Sequence, residues 1–133
     1  MGLTHAEIEF ENARTGVKMV LRCLVDTGAL HLCMPAHVAL QLGFDLDKAD
    51  VREVTLADGS RRKVPYAGPV LVRFANRSCF AGALVLGTEP LLGAIPMEDM
   101  DLVVMPSTRR LVVNPENPHI AASVAMRAEE RGA

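Results

Sequence analysis

The chain has 133 residues, half of them hydrophobic, with a net charge of −2 and only four Phe and one Tyr. That length suits one domain with one core, built from Leu, Val, Ile and Met rather than from aromatic rings. The near-balanced charge removes any electrostatic case for nucleic acid or an anionic membrane as partner, and no apolar run approaches the ~20 residues of a membrane-spanning helix.

The first eleven residues have neither a basic start nor an apolar signal core. Cys23, Cys33 and Cys79 are odd in number and scattered, unlike a disulfide framework, so a reduced, cytoplasmic setting is expected. Ile8 and Phe10 alternate with Glu7, Glu9 and Glu11, which predicts a half-exposed edge strand. Residues 12–16 make a turn. Val17, Met19, Leu21, Cys23 and Val25 then share one face of a second strand, which ends in Asp26-Thr27-Gly28-Ala29. Pro35 suits a first helical position, and residues 36–42 give about two turns before Gly43 as a C-terminal cap. Asp58-Gly59, between strand-like residues 51–57 and 61–64, is a hairpin signal.

Val70, Val72 and Phe74 alternate in a further strand, and Asn76-Arg77 turns the chain into strand residues 79–86. Residues 102–105 and 111–113 predict a hairpin turned at Pro106-Ser107. Pro115 and Pro118 then break regular structure, and residues 120–131 predict a short amphipathic helix with Ile120, Val124 and Ala128 at i, i+4 spacing. The expected organisation is a domain over residues 1–113 and a C-terminal tail over 114–133. His5, His31, His37 and His119 are dispersed without ligand spacing, so neither a metal nor another cofactor is expected.

Asp26 is the residue that asks for a function. A carboxylate closing an apolar strand costs several kcal/mol to bury, on the order of the penalties for an unpaired ion, unless hydrogen bonds receive it. Thr27 and the peptide N–H groups around Gly28 are the candidates to supply them. A phosphoaspartyl enzyme also carries an Asp at a strand end, but its parallel sheet needs alternating helices. This chain offers only short helical stretches after Asp26 and after Gly93, and it has no second Asp two residues downstream.

The ordered set of segments resembles the retropepsin-like aspartic proteases, in particular their bacterial single-lobe members. Leu24-Val25-Asp26-Thr27-Gly28-Ala29 is followed by Cys33-Met34-Pro35 and an apolar segment ending Leu42-Gly43. Next come Val54-Thr55-Leu56-Ala57-Asp58-Gly59, similar to the family's flap, and Leu91-Leu92-Gly93. The resemblance covers residues 5–113 and implies an all-β acid-protease barrel of one lobe with one or two short helices. It implies that Leu91, Leu92 and Gly93 pass beneath the aspartate loop in a psi-shaped crossing.

It further implies aspartic endopeptidase activity. Asp26, Thr27 and Gly28 form the catalytic loop, while Ala29, Leu30, Ala57, Asp58, Gly59 and Ser60 meet an extended peptide or protein substrate. Peptide hydrolysis of this kind needs two carboxyl groups sharing a proton. The chain has one Asp-Thr-Gly, so a homodimer has to supply the second Asp26 across a two-fold axis. Leu30-His31 departs from the acidic or hydroxyl residue that retroviral members place there, and the retroviral C-terminal dimer strand is not recognisable. Two other readings stay open: a non-catalytic dimerisation or peptide-binding module on the same fold, and a protease that processes only its own precursor.

Overall fold

The computed structural model describes residues 3–125. In chain order its elements are β1 (Thr4–Asn12), β2 (Lys18–Val25), β3 (Leu32–Met34), α1 (Ala36–Gln41), β4 (Asp50–Thr55), β5 (Arg61–Phe74) and β6 (Arg77–Val85). After these come β7 (Leu91–Leu92), α2 (Ala94–Asp99), β8 (Leu102–Met105) and β9 (Arg110–Val113). The main sheet runs β1-β2-β7-β3-β6-β5-β4, and β1 also pairs with β5, so six of these strands close into a barrel and β4 hangs outermost on β5. A separate two-stranded sheet, β8-β9, stands beside it. Among the described residues no helix is long and apolar enough to cross a membrane.

Period-two alternation fills the barrel. Ile8 and Phe10 of β1, Cys23 and Val25 of β2, Leu32 and Met34 of β3, and Val70 and Val72 of β5 all point into one core with Leu92. Burying a side chain of this size stabilises by about 1.5–3 kcal/mol each. On β6 the inward set is Cys79, Ala81, Ala83 and Val85, which leaves Phe80, Gly82 and Leu84 on the outer face. Val64 and Leu84 are buried but do not belong to the central core. Pro35 lies one place before α1, in extended conformation as its N-cap.

The closing seam overturns one expectation. β1 is not an edge strand: Glu9 pairs with Arg73 and Phe10 with Val72 across β5, while the other side of β1 pairs with β2 from Thr4 to Glu11. Its acidic alternation has a different cause. The Arg73 guanidinium reaches Glu9 and Glu11 at 2.6 Å each on the outside of the seam. That hydrogen bond from Arg73 holds the Glu11 carboxyl below the usual carboxylate range.

The expected C-terminal helix is absent over residues 120–125, and residues 126–131 lie outside the described residues. Residues 121–125 carry no regular secondary structure. Instead Ala122 N–H donates to Asp101 Oδ2 at 3.0 Å, and the Pro118 carbonyl accepts from Asn76 Nδ2 at 3.0 Å. Asp101 also receives the side-chain amides of Asn114 and Asn117, at 3.0 and 2.8 Å. These donors, the Ala122 N–H first, lower the pKa of Asp101. Arg77, buried at the start of β6, donates to the Asn117 carbonyl. The segment is strapped to the domain rather than coiled.

Candidate active site

β2 delivers Asp26 to the end of the barrel, and β7 fixes the loop that follows. Leu91 and Leu92 lie between β2 and β3, parallel to Leu24 and Val25, with Leu91 also opposite Cys33. Asp26 N–H donates to the Leu92 carbonyl at 3.1 Å. The carbonyls of Ala29 and Leu30 then accept from Ala94 N–H at 2.8 Å and Ile95 N–H at 2.9 Å. Gly93 sits directly beneath. A Cβ there would lie 2.5 Å from the His31 carbonyl oxygen and 2.6 Å from the Leu30 carbonyl carbon, so the crossing requires glycine.

Within the loop, Gly28 N–H donates to Asp26 Oδ1 at 2.9 Å, and Ala29 N–H donates to the Asp26 carbonyl at 3.2 Å. The peptide groups around Gly28 therefore do serve the carboxylate. The premise of a buried carboxylate is corrected, however: in the single chain Asp26, Thr27 and Gly28 are all exposed. The backbone is fixed from below while these residues are exposed to solvent.

Beside the loop is a groove of about 450 Å³. Gly28, Ala29, Leu30, His31 and Cys33 line one wall, Glu53, Val54, Thr55 and Leu56 of the β4–β5 hairpin line the other, and Leu84 and Leu86 complete it. Alternation explains the first wall: Leu32 and Met34 enter the core, so the positions between and before them, Cys33 and His31, turn outward. Of the residues expected to meet a substrate, Ala29 and Leu30 line this groove. Ala57, Asp58, Gly59 and Ser60 are exposed and do not line this groove, whereas Val54, Leu56, Leu84 and Leu86 do. The signal that could have found Leu84 was the outward parity of β6 against its buried neighbours.

The tip is held by its own residues. Leu56 N–H donates to the Ser60 carbonyl at 2.8 Å, and Gly59 N–H to the Leu56 carbonyl at 2.9 Å. Asp58 Oδ1 receives both Ser60 Oγ–H at 2.5 Å and Ser60 N–H at 2.9 Å. The Ser60 hydroxyl, more than its N–H, holds the Asp58 carboxyl below its ordinary range.

Asp26 and Thr27 open on another hollow, of about 400 Å³, shared with Leu3, Thr4 and Val104. Thr27 also borders a hollow of about 550 Å³ against Met97, Leu102 and Val104. Cys33 is the thiol in this groove, and burial raises its pKa; burial likewise pushes Cys23 and Cys79 up to about 12. A nucleophilic cysteine needs the opposite shift.

Six closed strands, a β7 crossing beneath an Asp-Thr-Gly loop, a hairpin over a groove and, among the described residues, two short helices define the retropepsin-like single-lobe fold. Comparison with solved structures agrees. The chain is similar to the retroviral protease-like domain of Ddi1 from Leishmania major, with a TM-score of 0.58 and 14% identity over 86% of this chain and 91% of that one. It is similar also to a retropepsin-like aspartic protease from Rickettsia conorii, with a TM-score of 0.51 and 24% identity over 73% and 82% of the two chains. No family profile matches the sequence, and no curated protein sequence matches it. The likeness is one of fold.

Proposed function

We propose that the chain is an aspartic endopeptidase whose active site is completed by a second copy. One observation carries the reading: a single exposed Asp26 sits on a loop clamped by β7 and the start of α2, and that loop's Gly28, Ala29 and Leu30 wall a groove shared with a hairpin. In this mechanism two Asp26 carboxyls share one proton. The ionised one takes a proton from water, and the protonated one polarises the scissile carbonyl. Like charges at that separation cannot both ionise cheaply, so the pair titrates as a unit. Gly28 N–H keeps its carboxylate oriented for either role. The peptide lies extended between the hairpin and the loop.

The second copy belongs on the Thr27–Val104 side, opposite the groove. There β8 offers Val103, Val104 and Met105 without a charge, while Leu102 of the same strand anchors this separate two-stranded sheet in the core. Uncharged strands with so few partners are surfaces that pairing covers. Three free thiols fit a reducing cytoplasm. Digestion of a peptide library across acidic to neutral pH, by wild type and by Asp26→Asn, tests the reading. Wild type should cleave, and Asp26→Asn should fall to background while keeping its fold. Cleavage by Asp26→Asn at the wild-type rate places the chemistry elsewhere.

A further inference from the structure

Asp101 forms the corner between α2 and β8, with α2 ending at Asp99 and β8 starting at Leu102. The backbone there is left-handed, with φ +54° at Asp101. Gly or Asn would accept the same turn, so the backbone alone does not require a carboxylate. The carboxylate receives three donors, the Asn114 and Asn117 side-chain amides and the Ala122 N–H, all from the segment that follows β9. The Asp101 carbonyl takes the Asn114 N–H at 3.0 Å as well. At its middle the same segment is tied to the barrel, where Asn76 and the buried Arg77 donate to the Pro118 and Asn117 carbonyls. Among the described residues Arg77 Nε and Nη1 have no partner, so the Asn117 carbonyl is what receives this buried guanidinium. Residues 114–122 therefore bridge the α2–β8 corner and the start of β6.

That corner shapes the place assigned above to the second copy. The hollow at Thr27 has α2 as one wall, through Ala94, Met97 and Glu98, and β8 as another, through Leu102, Val103 and Val104. The Ala94 and Ile95 N–H groups of α2 also clamp the aspartate loop. β8 pairs only with β9, so no hydrogen bond from the main sheet sets its angle to α2. We infer that Asp101 is a positioning residue for the shared site: it locks residues 114–122 across the corner, and that lock sets the α2–β8 surface on which the second copy assembles. The inference rests on the two-chain reading above. Without the carboxylate, two side-chain amides and a peptide N–H lose their acceptor, and the angle between α2 and β8 is no longer held. The residues after Val113 are then part of the assembling domain rather than an appendage to it.

The test measures the dimer dissociation constant of the full chain by sedimentation, for wild type, Asp101→Gly and Asp101→Asn. Glycine keeps the left-handed corner and removes the carboxylate, while asparagine keeps the corner and one acceptor oxygen. The constant should rise on the order of tenfold or more in Asp101→Gly, the scale of two lost hydrogen bonds, and by less in Asp101→Asn. Peptide cleavage by Asp101→Gly should fall at low protein concentration and recover once the chains are concentrated enough to pair. Val72→Ala, which weakens the barrel core away from the corner, should leave the constant at its wild-type value. An unchanged constant in Asp101→Gly, an equal rise in Val72→Ala, or cleavage that stays lost in fully paired Asp101→Gly each overturns the inference. If Asp101→Gly does not fold, Asn117→Ala decides instead: a raised constant upholds the lock, and an unchanged one overturns it. If wild type pairs but cleaves nothing, the endopeptidase reading fails alone and the dissociation constants still decide Asp101. A wild-type chain that stays monomeric at every concentration overturns the shared site and this inference together.

Discussion

Two exposed turns belong to the elements that wall the groove, and they are held in opposite ways. The Asp26 loop is anchored by segments distant in sequence: Leu92, Ala94 and Ile95 take or give its backbone hydrogen bonds, and Gly93 fits where no side chain would. The hairpin tip is anchored only by itself, through Leu56, Asp58, Gly59 and Ser60, on a β4 strand with a single sheet neighbour. The first cannot shift without breaking the barrel. The second can lift away at little cost, since few buried contacts go with it. A site that has to place a carboxylate accurately and still admit a polypeptide needs one turn of each kind.

The largest effect should come from disturbing what lies beneath the loop. Gly93→Ala pushes a methyl into the Leu30–His31 backbone and should cost more than about 3 kcal/mol, in the upper tail of single substitutions. Urea unfolding measures this, and activity should vanish with it. A loss below about 1 kcal/mol would mean that the crossing yields easily, and the contrast between the two turns would collapse. Next in size is the response to ligand. A transition-state-like peptide should slow amide exchange in residues 50–64 and leave the amides of Asp26 and Ala94 near their free-state rates. Equal protection of both regions would show the loop to be as pliable as the hairpin.

Much of this was legible in the sequence where the determinants are local. Asp26-Thr27-Gly28 and Leu91-Leu92-Gly93 are short strings whose geometry follows from a strand end and a glycine, and Asp58-Gly59 marks its turn directly. Elements decided by remote partners were not legible. The alternation of β1 is the same whether its second edge meets water or β5, and only Arg73, far along the chain, turns Glu9 and Glu11 into a seam. Residues 120–125 have helical spacing, yet they are not coiled: Asp101, far back in the chain, holds the Ala122 N–H, and Asn76 holds the Pro118 carbonyl just before them. On the far wall, the outward parity of β6 brings Leu84 to the groove, and turn chemistry carries no sign of that.

Smaller effects should follow at the tip. Asp58→Ala removes the acceptor for Ser60 and should shift KM and kcat together, with no measurable change in the unfolding midpoint, because the core is untouched. A midpoint change matching that of Gly93→Ala would give the tip the structural weight assigned to the loop. The smallest effect is in pH. The Asp58 pKa is lowered in the folded chain, so its contribution is fully present above the unfolded value of ~3.9 and is lost as pH falls through the folded value. Exchange at the Ser60 amide should therefore stay protected through mildly acidic solution, once intrinsic rates are corrected for, and lose protection only below that range. Loss beginning near neutrality would contradict the hydrogen bonds of the tip.

The central claim is that each chain brings half of a shared site, and co-expression of wild-type with Asp26→Asn chains tests it most directly. With random assembly only wild-type pairs hold two carboxyls, so activity should follow the square of the wild-type fraction, and an equal mixture should retain about a quarter of full activity. Activity proportional to the wild-type fraction, with about half remaining in the equal mixture, would contradict it and assign a complete site to the single chain.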